Sequence, residues 1–136
     1  MKKEIKLEID SRLENVPLVG MAVNKICSSL KMSKIRAYEM ELCVVEACTN
    51  AIKHAYEKKS GHKVKVAISI DDEKVVFKIC DTGKSMDPKK LYLEELNPYD
   101  LAESGRGLVI MHKLMDKLDY KTENGKNILT MIKQLR

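Results

Sequence analysis

The sequence predicts an α+β fold: a two-layer α/β sandwich in which a mixed, mostly antiparallel sheet carries about three helices on one face. Three observations lead there. Apolar residues alternate with polar ones at the start, middle and end of the chain, the period of half-buried strands. Between these stretches the apolar spacing lengthens to that of amphipathic helices. Turn signals at Ser60-Gly61, Asp71-Asp72 and Asn124-Gly125 separate the elements. The 136 residues are enough for one core, so a single domain over 1–136 is expected.

The elements follow in order. Ile5, Leu7 and Ile9 alternate with charged residues and form a first strand. Pro17, tolerated in a first helical turn, opens a helix whose stripe is Val19, Val23, Ile26, Cys27 and Leu30. Ser33 is a good N-cap for a second helix running to about Tyr56. This helix is apolar over much of its surface, through Ala37, Met40, Val44, Ala47 and Ala51 on one side and Leu42, Val45 and Ile52 on another, so it should be central. Val64 to Ile70 and Val75 to Ile79, joined by Asp71-Asp72, read as an antiparallel hairpin. Residues 82–104, with Gly83, Pro88, Pro98 and many charges, form a long connection with one short helix expected near Leu91. Connections of this length are often functional lids. A third helix follows Ser104, facing the core with Leu108, Met111, Leu114, Met115 and Leu118. Asp119–Thr122 and Ile128–Leu135 pair around Asn124-Gly125.

Composition narrows the function. A net charge of +5, spread along the chain, slightly favours an acidic partner. With one Phe, no Trp and no arginine block, direct nucleic-acid binding is not expected. No apolar run approaches a membrane span and no leader is expected at Met1–Ile5, so the chain reads as cytoplasmic. Cys27, Cys43, Cys48 and Cys80 lack metal-ligand spacing, and Cys43, Cys48 and Cys80, in apolar surroundings, read as buried free thiols.

Three constellations carry chemistry. Glu46 and Asn50 stand one helical turn apart, stacked on one face. A carboxylate there can accept a proton and an amide oxygen can ligate a hard cation such as Mg²⁺. Equally, the two could be the wet edge of an amphipathic helix. Asp81 lies on the same side of its strand as Val75, Phe77 and Ile79, aimed at the helices just before Gly83. It is a candidate acceptor for an exocyclic amine, or an ordinary strand-ending turn. Ser104-Gly105-Arg106-Gly107 opens the third helix, where glycines admit a phosphate and the helix terminus favours an anion; steric reasons would place glycines there too.

Taken in order, Glu46-x-x-x-Asn50-Ala51-x-x-His54-Ala55, then Asp81-x-Gly83, a lid at about 82–104, then Gly105-x-Gly107 resembles the Bergerat ATP-binding fold of the GHKL superfamily. Within it the chain is most similar to the bacterial anti-sigma-factor serine/threonine kinases, over essentially its whole length. The resemblance implies ATP and Mg²⁺ as cofactors. Glu46 would be the catalytic base and Asn50 the metal ligand. Asp81 would accept from the adenine amine, with Gly83 letting the base lie against the backbone. Gly105 and Gly107 would wrap the phosphates. Lys53 could reach a phosphate or face solvent; Arg106 could steady the γ-phosphate or face a partner. His54 would pack or hydrogen-bond structurally rather than react. The partners implied are a sigma factor and an anti-anti-sigma antagonist, and a homodimer through the first strand or helix is open.

Two departures stand out. Ser85 replaces the usual second glycine after Asp-x-Gly. The family's Gly-Thr before the last strand reads Lys126-Asn127 here, so Asn127 or Thr130 would substitute, with Thr130 counted among the nucleotide-binding candidates, or that contact is absent. The rivals to an anti-sigma serine kinase are a non-catalytic ATP-binding switch of the same fold and a histidine-kinase catalytic domain. The latter would need a phosphoacceptor helix pair ahead of the first strand.

Overall fold

The structure is a computed structural model in which residues 2–89 and 103–135 are described. Its strands are β1 (Lys3–Asp10), β2 (Lys63–Ile70), β3 (Lys74–Asp81), β4 (Lys117–Glu123) and β5 (Lys126–Gln134). The helices are α1 (Val16–Ser29), α2 (Lys34–Asn50) and α3 (Glu103–Leu114). The sheet order is β1-β2-β3-β5-β4, and every pair is antiparallel. β5 enters between β3 and β4, which makes those two strands parallel without hydrogen-bonding to each other. The α+β two-layer arrangement is therefore observed, and the mixed orientations occur only between strands that do not touch.

Local chemistry explains the boundaries. The Ser33 side chain accepts from the Arg36 N–H at 3.1 Å, the capping bond its position predicts. Pro17 sits in the first turn of α1, just after a short 3₁₀ turn at Leu13–Asn15. Asp71 does more than mark a turn: its Oδ1 accepts from Glu73 N at 2.8 Å and Lys74 N at 2.9 Å, closing the β2–β3 hairpin. Asn124 and Gly125 take positive φ of 52° and 75°, the left-handed pair that a two-residue hairpin requires.

The core lies between the helices and one sheet face. Val64, Val66, Ile68 and Ile70 of β2 and Val75, Phe77 and Ile79 of β3 face Met40, Val44, Ile52, Met111 and their neighbours, all buried. α2 packs against both α1 and α3 and is central, as its broad apolar surface predicts. Its end holds a feature the apolar pattern did not reveal. After Asn50 the helix widens into a π turn over Ala51–Ala55, with Tyr56 N donating to Ala51 O at 3.0 Å. Such turns often occur at functional sites. Cys27, Cys43 and Cys48 are buried, whereas Cys80 is half-buried on the opposite sheet face, away from the helices. No helix among the described residues is long and apolar enough to cross a membrane.

Candidate functional site

The site forms where the C-terminal end of α2, the end of β3 and the start of α3 meet. Glu46 and Asn50 are half-buried on α2. They converge on Gly107 of α3: a Cβ added there would lie 2.8 Å from Glu46 Oε2 and 3.3 Å from Asn50 Nδ2. A side chain at position 107 would therefore occupy the space these polar groups use. Gly107 is the fifth residue of α3, and a helix leaves its first four N–H groups without intrahelical partners. Gly105 lies within that first turn and Gly107 lies just past it. Gly107 thus works as a close-packing residue against Glu46 and Asn50, a role its spacing alone did not show.

At the other end, β3 delivers Asp81 to the helix-facing side. Only 9% of Asp81 is exposed, and its Oδ1 accepts from Asn127 Nδ2 at 2.7 Å and Gly83 N at 3.0 Å. Burial pushes its carboxyl above the ordinary value of 3.8, while the hydrogen bonds from Asn127 and Gly83 work the other way. Gly83 lies flat on the π turn. A Cβ there would stand 2.6 Å from the Ala55 carbonyl carbon and 2.9 Å from the Tyr56 ring, and Lys84 N donates to Ala55 O at 2.8 Å. The widened helix end is thus the floor on which the Asp81–Gly83 segment rests.

Tyr56 ties these parts together. Its buried hydroxyl donates to Lys63 O at 2.6 Å and accepts from Thr82 N at 2.8 Å, while its ring stacks on His62 with centroids 4.6 Å apart. His54 lies exposed in the π turn. Lys53 is half-buried in the same turn and Arg106 is exposed on α3.

Thr130 requires a correction. In β5 the buried side chains are Asn127, Leu129 and Met131, so Thr130 points to the opposite sheet face, where it pairs across from Lys78. The residue directly across from Asp81 is Asn127, 1% exposed, whose Oδ1 in turn accepts from Thr122 Oγ1 at 2.9 Å. Strand parity from Leu129 and Met131 was the signal that could have separated the two candidates. The expected lid falls mostly on residues 90–102, outside the described residues, as does the short helix near Leu91. Its first part is described: Met86 N donates to the Tyr120 hydroxyl at 2.9 Å.

A half-buried carboxylate and amide across from a glycine, and a buried Asp-x-Gly resting on the same helix, fit a nucleotide with its phosphates towards α3 and its base towards β3. Among the described residues no group of three His, Cys, Asp or Glu could hold a metal. An Mg²⁺ held mainly by nucleotide phosphates and water needs only one or two protein oxygens, and Asn50 can offer one.

The fold and this arrangement define an ATP-binding domain. The chain belongs to the histidine kinase-like ATPase domain family, which matches residues 9–133. Among its relatives is the serine-protein kinase RsbW of Bacillus pumilus, 30% identical, with 89% of this chain and 80% of that protein covered. The anti-sigma F factor of Clostridium beijerinckii is 29% identical over 96% of this chain and 93% of its own length. A chain in the crystal structure of the SiaB–SiaC complex from Pseudomonas aeruginosa shares the fold, with a TM-score of 0.66 at 13% identity, covering 95% of this chain and 88% of that one.

Proposed function

We propose that this chain is an anti-sigma factor and an ATP-dependent protein serine kinase, which binds a sigma factor in one state and phosphorylates a serine of an anti-anti-sigma antagonist in another. The observation that carries the reading is the convergence of Glu46 and Asn50 on Gly107, with the buried Asp81 and Gly83 resting on the end of the same helix. Relatives named serine-protein kinase and anti-sigma factor, matched over most of their length, support the partner side of the reading. Exposed Leu18 and Met21 on α1 and Ile35 and Tyr38 on α2 offer apolar surface for a protein partner, or for a homodimer. The reading places the protein in the cytoplasm.

In this reading ATP with Mg²⁺ supplies the phosphoryl group and neutralises much of the charge that develops on it. Asn50 would hold the metal through its amide oxygen. Glu46 takes the proton from the substrate serine hydroxyl, whose oxygen forms a new bond to the γ-phosphorus as the bond from that phosphorus to the β–γ bridging oxygen breaks and ADP leaves. Gly105, at the start of α3, brings backbone N–H groups and the helix dipole to the phosphates. Lys53 and Arg106 are the cations placed to steady them. Asp81 accepts from the adenine amine, and the bare backbone at Gly83 lets the base lie close.

Two measurements test it. A thermal shift with Mg-ATP at about 100 times its Kd should stabilise the protein by about 2.7 kcal/mol. Labelled ATP incubated with the antagonist should transfer phosphate to a serine, and Glu46→Gln should abolish transfer while sparing binding. ATP binding without transfer by the wild-type protein would replace the kinase with a non-catalytic switch.

A further inference from the structure

Thr122, Asn127 and Asp81 lie in one row across three adjacent strands. Thr122 is the register partner of Asn127, and Asn127 is the register partner of Asp81. Their hydrogen bonds run in one direction. The Thr122 hydroxyl donates to Asn127 Oδ1 at 2.9 Å, so the carbonyl side of that amide faces β4. The Asn127 amine therefore faces β3, where it donates to Asp81 Oδ1 at 2.7 Å and to the Gly83 carbonyl at 3.0 Å. All the hydrogen-bonding groups of this 1% exposed amide are engaged.

Asp81 Oδ1 also receives the Gly83 N–H at 3.0 Å, so one carboxylate oxygen faces two fixed donors. Among the described residues Oδ2 accepts from none. Asp81 retains 9% exposure, through which a ligand can reach it. We propose that Asn127, oriented by Thr122, is a specificity-determining positioning residue: by committing Oδ1 of Asp81, it leaves a single hydrogen-bond acceptor to read the nucleobase. The proposal rests on the nucleotide pocket described above. It adds that the orientation of the Asp81 carboxylate, and with it which of its two oxygens reads the base, is set by the strand opposite.

This arrangement makes a directional prediction. In Asp81→Asn, the two fixed donors would hold the new amide oxygen where Oδ1 now lies. The amide nitrogen would then face the base as a donor. A donor rejects the exocyclic amine of adenine and accepts the carbonyl of hypoxanthine. If Asn127→Asp is added, the acceptor and donor exchange strands. The amide at position 81 would turn its nitrogen towards the new carboxylate and present its oxygen to the base again. The formal charge of the pair is the same as in the wild type.

The experiment is calorimetric titration of Mg-ATP and Mg-ITP into the wild-type protein, Asp81→Asn, the double variant Asp81→Asn/Asn127→Asp, and Asn127→Ser. The wild type should prefer ATP by roughly tenfold or more, the cost of one mismatched buried hydrogen bond. Asp81→Asn should prefer ITP. The double variant should prefer ATP again, with weaker binding overall because the Gly83 N–H loses its acceptor and the Gly83 carbonyl loses the donor it has in Asn127. Asn127→Ser, which removes both amine donors, should narrow the wild-type preference several-fold, and it keeps the proposal open to refutation if the double variant does not fold. Equal ATP-to-ITP ratios for Asp81→Asn and the double variant, or an unchanged ratio in Asn127→Ser, would overturn the role of Asn127. Failure of the wild type to bind either nucleotide would instead overturn the nucleotide pocket itself.

Discussion

Replacing Gly107 with alanine separates the geometry of the site from the stability of the fold. The new methyl would sit 2.8 Å from Glu46 Oε2, against an ordinary contact of 3.4 Å or more. The atom it meets is the end of a side chain, so the clash is relieved by moving the carboxylate roughly 0.5 Å or more, which already exhausts the tolerance of a working site. Stability has two opposing contributions. Alanine gains up to about 1 kcal/mol over glycine within a helix, and crowding costs about 1–3 kcal/mol where neighbours cannot yield. Because Glu46 can yield, the two should nearly cancel, leaving the melting temperature within a few degrees of the wild type. Chemistry is not buffered in this way, since a misplacement on the order of 1 Å can cost about 100-fold. Single-turnover phosphorylation of the antagonist should therefore slow by roughly 10- to 100-fold, with ATP affinity changed far less. Transfer within about threefold of wild type, with normal folding, would show that Glu46 need not occupy this position and would refute the reasoning.

Other substitutions probe neighbouring parts. Gly83→Ala should lower the melting temperature by several degrees, because its Cβ would meet the Ala55 carbonyl carbon at 2.6 Å and backbone cannot yield as Glu46 can. Tyr56→Phe should cost about 1–3 kcal/mol in denaturant titration, since it strands the Thr82 N–H and the Lys63 carbonyl that its hydroxyl serves. Burial raises the Asp81 carboxyl above 3.8, so its contribution to stability is present below that pH and is lost as pH rises through the folded value. Asp81→Asn should consequently melt no lower than the wild type at pH 7 while losing ATP affinity; a large loss of stability would contradict this. Asp71 behaves oppositely. The N–H groups of Glu73 and Lys74 lower its carboxyl below 3.8, so its contribution is present above that pH and falls away as pH drops through the folded value. Melting curves of Asp71→Asn and wild type should therefore converge in acid.

Much of this arrangement was legible in the chain. Period-two alternation at Val64–Ile70 and Val75–Ile79 located β2 and β3 and aimed Asp81 inward, because strand parity is fixed by backbone geometry. Ser33 located the start of α2 because a helix N-terminus needs an acceptor for its unpaired N–H groups. The spacing of Glu46 and Asn50 placed them together for the same kind of reason: one helical turn separates them. Local rules failed where two elements touch. The second helix read as continuous to Tyr56, yet it widens after Asn50, and neither apolar spacing nor propensity distinguishes a π turn from an α turn. That turn brings the Ala55 carbonyl to Lys84 N, a contact between residues 29 positions apart.

The sequence by itself therefore determined the elements, their inward faces and the identity of the polar residues on them, since each depends on neighbours a few positions away. Tertiary structure alone decided that Gly107 stands against Glu46, that Tyr56 braces the Asp81–Gly83 segment, and that Asn127 lies directly across from Asp81. These assignments follow from how α3 lies on α2 and how β5 registers on β3. Register and docking are set by the packing of the whole core, and shifting a strand by one residue would turn every one of its side chains to the other face.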